Sequence, residues 1–446
     1  MPPGFRLLIA AQFVSALADN ALLIVTIAAL QERGEPGWWA PLLKFGFTLS
    51  YVVLAPLVGP LADAWPKARL MAWMNAIKVL GVLALLGHLH PVLAFAIVGL
   101  GAAGYAPAKY GLVTELVPAE RLVAANAWLE VSVVCAALLG TVLGGLLVSP
   151  WWLESTLAEA ARQQLTGLAP VGTSLLSVSL LALLLVYALA SLLNFGVPDS
   201  GARYAPRPVH PLALSRDFWR ANLTLWRDRD GGLSMAVTTI FWGVGATLQF
   251  AVLRWAADHL GLSLDRAAYL QAAVAVGVVV GAALAGRFVP LSRARQVLWA
   301  GVALGLMMPM LASTSQLVIA IPLLAVVGLV GGLLVVPLNA LLQHRGCVLL
   351  SAGRSIAVQG FNENASVLVM LAIYAGLIAL DVAIVPLLCG FGLLIALAMG
   401  LLTWRAAGSA DGLAGGDERF VGEQIGLAND AAQRGFKTRH DRVPAE

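Results

Sequence analysis

Asp19 and Asn20 stand side by side in AAQFVSALADNALLIVTIAAL, residues 10 to 30, a run otherwise apolar enough to cross a bilayer. A carboxylate at the centre of a spanning helix costs roughly 3 kcal/mol on insertion scales, so it is kept there for a partner or a task. On a helix advancing 100° per residue, Gln12, Ser15, Asp19 and Thr26 fall within about 60° of one another. Lipid cannot solvate that face, which must point into a helix bundle. Ser355, Gln359, Asn362, Glu363 and Ser366 form a second such stripe, about 100° wide. Asn126 and Glu130 repeat the amide-then-glutamate spacing of Gln359 and Glu363, one helical turn apart on a single face. Lys78, Lys109 and Asn339 bring further polar groups into apolar runs. The interior thus holds charges of both signs. Each can be half of a structural ion pair or part of a site for a polar cargo, and the residues alone leave both open.

Other chemistry is excluded more firmly. No G-x-x-x-x-G-K-[ST] loop exists to cradle a nucleotide phosphate. None of the six histidines is followed by an aspartate at the H-x-x-x-x-D spacing of a membrane acyltransferase, since His259 reaches Asp265 one residue late. Cys135, Cys347 and Cys389 lie in or beside apolar segments without metal-ligand spacing. No enzyme, cofactor or metal is expected.

The elements that position these residues follow from composition. Of 446 residues, 60% are hydrophobic and 12% charged, with mean hydropathy +0.85. Soluble domains carry about 25% charged residues, so this is a membrane protein. Its apolar runs are of helical spanning length and lack the alternation of a β-barrel. They number twelve, which puts both termini on one side. Most loop arginines and lysines share that side, against Arg33, Lys44, Arg162, Arg254 and Arg266 on the other. The positive-inside rule makes both termini cytoplasmic. The pI of 9.1 thus reports orientation, and no nucleic-acid partner is expected.

The polar segment 197–232 divides six spans from six. Residues 1–196 are expected to form one six-helix bundle and 233–404 a second, joined by a central cytoplasmic loop, with a disordered cytoplasmic tail over 405–446. Residues 149–170 have apolar positions at helical spacing behind two tryptophans, which suits either a short interfacial helix or a long loop. The two halves carry traces of a repeat. "PKAR" (Pro66 to Arg69) after the second span matches "SRAR" (Ser292 to Arg295) after the eighth, in register with the two amide-glutamate pairs of spans five and eleven. Such duplications place a substrate site at the repeat interface.

Five stretches, AQFVSALADNALL, GLGAAGYAPAKYGLVTEL, LVAANAWLEVS, VGGLLVVPLNALLQHRG and IAVQGFNENASVLVMLAIY, resemble the bacterial lysophospholipid transporter family (LplT) of the major facilitator superfamily, in order from Phe5 to Trp404. GPLADAWPKAR resembles the superfamily's loop signature through Gly59, Asp63, Lys67 and Arg69, although Ala64 follows the aspartate and Pro66 stands where a glycine is usual. The resemblance implies the twelve-helix all-α fold of that superfamily and flipping of lysophospholipids, such as lysophosphatidylethanolamine, from the outer to the inner leaflet of the bacterial inner membrane. It also implies re-acylation there by an acyltransferase/acyl-carrier-protein synthetase. The two halves and the missing nucleotide loop lead to an expectation of alternating access, in a monomer. Asp19 with Asn20, Lys109, Glu130, and Glu363 with Asn364 match the family's polar positions. Gln249 occupies a position where the family has an arginine. The expected substrate-binding set is Gln12, Asp19, Asn20, Lys109, Asn126, Glu130, Gln249, Gln359, Asn362 and Glu363, with Asp19 facing an ammonium and Lys109 a phosphate. The alternative is a proton-coupled exporter of small amphipathic compounds that uses the same carboxylates.

Overall fold

The computed structural model describes residues 3–35, 39–166, 174–202, 204, 210–262 and 264–408. Among them, twelve helices are long and apolar enough to cross a membrane. In chain order the helices are α1 (Pro3–Glu32), α2 (Trp39–Ala64), α3 (Lys67–Leu86), α4 (Pro91–Leu116), α5 (Leu122–Leu147), α6 (Pro150–Leu153), α7 (Thr156–Thr166), α8 (Ser177–Phe195), α9 (Pro211–Arg227), α10 (Arg229–Leu260), α11 (Leu264–Phe288), α12 (Leu298–Ala312), α13 (Leu317–Leu349), α14 (Ala352–Ala379) and α15 (Ile384–Gly408). Two compact units are distinguished, Met1–Met399 and Gly400–Glu446, and the second contributes only the last turns of α15 to the described residues. The tail beyond residue 408 lies outside them.

Local chemistry sets the helix ends. Asp228 caps α10 by accepting from the Gly231 amide at 2.8 Å, and Gly261 ends that helix in the left-handed region at φ 64°. Prolines lie inside α2, α4, α12 and α13, as spanning helices allow. Helix pairing then repeats: α1 packs on α5 as α10 packs on α14, and α2 on α4 as α11 on α13. This is the equivalence that the paired amide-glutamate motifs on α5 and α14 imply.

Glycines let these pairs approach backbone to backbone. A Cβ at Gly140 or Gly144 of α5 would lie 2.6 or 2.7 Å from the Leu17 and Ala21 carbonyl oxygens of α1. On α11, Gly277 and Gly281 abut the α13 backbone at Ala325 and Leu329, while Gly328 and Gly332 of α13 abut Val274 and Val278. Each half is thereby interlocked through main-chain contact.

The halves meet along two seams, α2 with α14 and α5 with α11. The contacts cluster at the end that carries the N-terminus of α1. There Gly59 faces the backbone of Gly353 and Arg354, and Ala55 joins Leu342 and Val358 in one apolar cluster. Ser355 to Gln359 of α14 are buried, but none of Gly360 to Ala379 is. The halves touch at this end and part beyond it.

The segment between the halves, read as a loop, carries α9. The 149–170 stretch forms α6 and α7, with Trp151 exposed and Trp152 donating from its indole to Ser179 at 3.1 Å; residues 167–170 lie outside the described set.

Candidate functional site

Asp19 is engaged within the first half. Its carboxylate takes Lys78 Nζ from α3 at 2.6 Å and the Tyr187 hydroxyl from α8 at 2.7 Å. Lys78, only 1% exposed, also donates to Ser15 Oγ at 3.0 Å, and that hydroxyl donates to Asn75 Oδ1 at 2.8 Å. The ammonium lies 5.0 Å from the Tyr105 ring centroid and 5.9 Å from that of Tyr187. The inward face of α1 is therefore a hydrogen-bonded network spanning α1, α3 and α8. Gln12 belongs to the same face but reaches α5, donating to Ser132 Oγ at 2.5 Å. Asn20 bonds its own helix at the Ala16 carbonyl.

A second group of charges is less satisfied. Lys109 of α4 is buried, and its ammonium sits 4.2 Å from the Tyr110 ring centroid. Glu130 of α5 is buried too. The two interact electrostatically, but no ion pair joins them. Glu363 of α14, half-buried, feels Glu130 across the seam. It accepts from Gln359 Nε2 at 2.8 Å, and the same amide nitrogen reaches Asn339 Oδ1 of α13 at 3.0 Å. Gln359 Oε1 is buried with no hydrogen-bond partner. Glu363 is also met by the Thr238 hydroxyl, so the open acceptor on Gln359 is the one unsatisfied atom of a polar group that runs from Lys109 through Glu130 to Glu363 by electrostatic interaction.

Two further structures hold the halves together at the closed end. Asn126 of α5 and Gln343 of α13 exchange two side-chain amide hydrogen bonds, each 2.9 Å. Asp63, at the end of α2, accepts from the Ser351 hydroxyl at 2.5 Å and the Gly353 amide at 2.9 Å. Its carboxylate thus occupies the N-terminus of α14, where the helix dipole favours negative charge. Lys67 turns the other way and pairs with Glu115 of α4 at 2.6 Å. Glu115 in turn accepts from the Ser200 and Tyr204 hydroxyls at 2.6 and 2.9 Å. Burial, and next the Glu115 charge, push the Tyr204 phenol above its ordinary range. Arg69 is exposed and joins neither contact. The matching basic cluster of the second half is engaged as well, with Arg295 on Asp230.

The remaining expected residues lie apart. Gln249 is exposed and takes part only through its carbonyl, which accepts from Gln271. Asn362 faces the outside of the seam, accepting from the Trp226 indole at 3.1 Å and donating to Asn222 at 2.8 Å. Of the expected set, Lys109, Glu130, Gln359 and Glu363 come together, and Gln12, Asp19 and Asn126 border them through neighbouring networks. Sequence reasoning missed Tyr187, Tyr110, Gln343 and Glu115. A polar side chain inside LVVPLNALLQHRG was the available signal for Gln343. The free cysteines form no disulfide, and no metal-binding cluster occurs among the described residues.

With the geometry in place, comparison with known proteins is informative. The Major Facilitator Superfamily profile matches residues 8–346. A lysophospholipid transporter LplT of Yersinia enterocolitica is 39% identical over 86% of this chain and 89% of its own length. One of Yersinia pestis is 39% identical over 84% and 87%. Among solved structures, the transporter FucP in its outward conformation superposes with a TM-score of 0.67 at 16% identity, covering 90% of this chain and 97% of its own. The human organic anion transporter MFSD10 gives 0.65 at 14% identity, covering 90% and 100%. These last two likenesses speak for the fold.

Proposed function

This chain belongs to the lysophospholipid transporter LplT family of the major facilitator superfamily, and on that premise we propose that it carries lysophospholipids between the leaflets of the bacterial inner membrane, with both termini cytoplasmic. The observation that carries the reading is the incompletely satisfied group of Lys109, Glu130, Gln359 and Glu363 between the halves. Lysophosphatidylethanolamine has a phosphate and an ammonium a few ångströms apart. Lys109 suits the phosphate, while Glu130, Glu363 and Gln359 Oε1 suit the ammonium. The single acyl chain stays in lipid or along an apolar seam, and the polar headgroup crosses between the halves.

Gln12, Asp19 and Asn20 act on this site from behind. In this conformation Asp19 is held by Lys78 and Tyr187, so it sets the local field and becomes a direct ammonium partner only if Lys78 lets go. Gln249 and Asn362 are left outside this site, Asn362 by its bonds to Trp226 and Asn222. Gly59 and Asp63 belong to the gate, whereas Lys67 is taken by Glu115 and the exposed Arg69 stands outside it. The sequence holds no G-x-x-x-x-G-K-[ST] loop, and the duplicated architecture suits movement by rocking of residues 1–196 against 233–404 around the headgroup. The direction is outer to inner leaflet, the protein works as a monomer, and the product is handed to an acyltransferase/acyl-carrier-protein synthetase.

The test uses purified protein in liposomes with fluorescent lysophosphatidylethanolamine. Lys109→Gln and Glu130→Gln are each expected to slow flipping at least about tenfold, the loss of one charge-assisted contact, with unchanged thermal unfolding. Flipping at the wild-type rate in both variants overturns the site. Movement of an organic cation down a proton gradient, with no lipid movement in the wild type, overturns the cargo in favour of an exporter.

A further inference from the structure

Helix α9 presents three chemically distinct faces. Leu214, Phe218, Ala221 and Leu225 are buried, in part against Ala55 of α2, Leu342 of α13 and Val358 of α14. On the opposite side, Leu212, Trp219, Leu223 and Trp226 are exposed. At 100° per residue these four fall within about 60°. Beside that stripe, about 20–60° beyond its edge, lie Arg216, Arg220 and Arg227, all exposed and none with a carboxylate among the described residues. Asp217, the helix's one acid, turns toward the bundle and pairs with Arg354 at 3.1 Å.

The position of α9 explains this pattern. Only Asp228 separates it from α10, so it lies at the level where a spanning helix begins. α10 has 32 residues, about 48 Å at 1.5 Å per residue, well beyond a hydrocarbon core of about 30 Å. Its first turns therefore stand in the headgroup region, and α9 with them. A soluble surface would not expose two tryptophans and two leucines in one row, whereas the interface accepts aromatic and aliphatic groups on its acyl side and arginines on its phosphate side.

We propose that α9 is an interfacial helix whose Arg216, Arg220 and Arg227 bind the phosphates of anionic phospholipids, while Leu212, Trp219, Leu223 and Trp226 enter the acyl boundary. Bound there, it lies across the outside of the α2–α14 seam, where Trp219 meets Phe361 edge-on and Trp226 bonds Asn362. Anionic lipid thereby holds in place an element that both halves touch. This inference does not depend on which lipid is carried.

The experiment places a nitroxide at Leu223→Cys in the full chain, with Cys135, Cys347 and Cys389 changed to serine. It compares phosphatidylcholine vesicles with and without phosphatidylglycerol. Collision with membrane-soluble oxygen and with a water-soluble nickel chelate reports depth. The label is expected in the acyl boundary, deeper when phosphatidylglycerol is present, and that dependence disappears in Arg216→Gln/Arg220→Gln/Arg227→Gln. Each arginine contributes about fivefold in affinity for an anionic surface. A water-exposed label in both vesicles overturns the proposal and assigns the face to a soluble partner or a second copy. A buried label whose depth ignores phosphatidylglycerol, or a triple variant that keeps the dependence, overturns the phosphate assignment.

Discussion

Changing Asn126 to alanine removes both amide hydrogen bonds to Gln343, each 2.9 Å, that join α5 of one half to α13 of the other. Gln343 is 1% exposed, so in the closed conformation its amide is left without a partner. In membrane proteins, interhelical side-chain hydrogen bonds average about 0.6 kcal/mol and reach about 1.7 kcal/mol. Two of them, with one orphaned buried amide, make about 1–3 kcal/mol. When the halves part, both amides are hydrated, so that energy is lost from the closed state alone. The ratio of open to closed conformers at this end should rise about 5- to 150-fold. Spin labels at Trp65→Cys and Val348→Cys, exposed positions on opposite halves, read this as growth of a long-distance population in pulsed dipolar spectra. Asn126→Ala/Gln343→Ala, which orphans nothing, should fall short of the sum of the two single changes. Unaltered distances in Asn126→Ala, or strict additivity in the double variant, refutes the idea that this pair is a latch.

Lys78→Met leaves the Asp19 carboxylate with only Tyr187 for a partner, and losing half of a buried ion pair destabilises by about 3–5 kcal/mol. Thermal unfolding in detergent should show that loss, and Lys78→Met/Asp19→Asn should recover most of it. Asp228 gives a pH dependence. Burial raises its pKa, but hydrogen bonds from Arg345 and the Gly231 amide, and then the Arg345 charge, outweigh that and hold the carboxyl below its ordinary 3.8. A depressed folded-state pKa contributes stability that is present above the unfolded value and lost as pH falls through the folded one. Acid titration below 3.8 should therefore loosen the wild-type protein more steeply than Asp228→Asn, with unfolding temperature as the readout.

Periodicity and hydropathy carry far in this chain because both act within single helices. Twelve spans follow from apolar length, and the inward faces of α1 and α14 follow from the spacing of Gln12, Ser15 and Asp19 and of Ser355 and Gln359. What those rules cannot supply is the partner across a helix boundary. Asp19 and Lys78 are 59 residues apart, and their pairing depends on how α1, α3 and α8 pack. Gln343 hides in an apolar run and gains meaning only when α5 arrives beside it. Helix α9 was obscured for another reason. Its apolar residues are split between two opposite faces, so the segment reads as mixed polarity rather than as a helix with one greasy side.

The glycine contacts between α11 and α13, and between α5 and α1, bear on how work is transmitted. Two helices touching backbone to backbone have no side chains to flex between them, so each half responds to load as one stiff lever. In the proposed mechanism, a headgroup held on α5 would therefore pull on Asn126 of the same stiff pair with little of the load absorbed along the way. It follows that a single methyl added at Gly281 can halt transport as thoroughly as loss of Lys109. The fault would be mechanical, in a protein whose polar site is untouched.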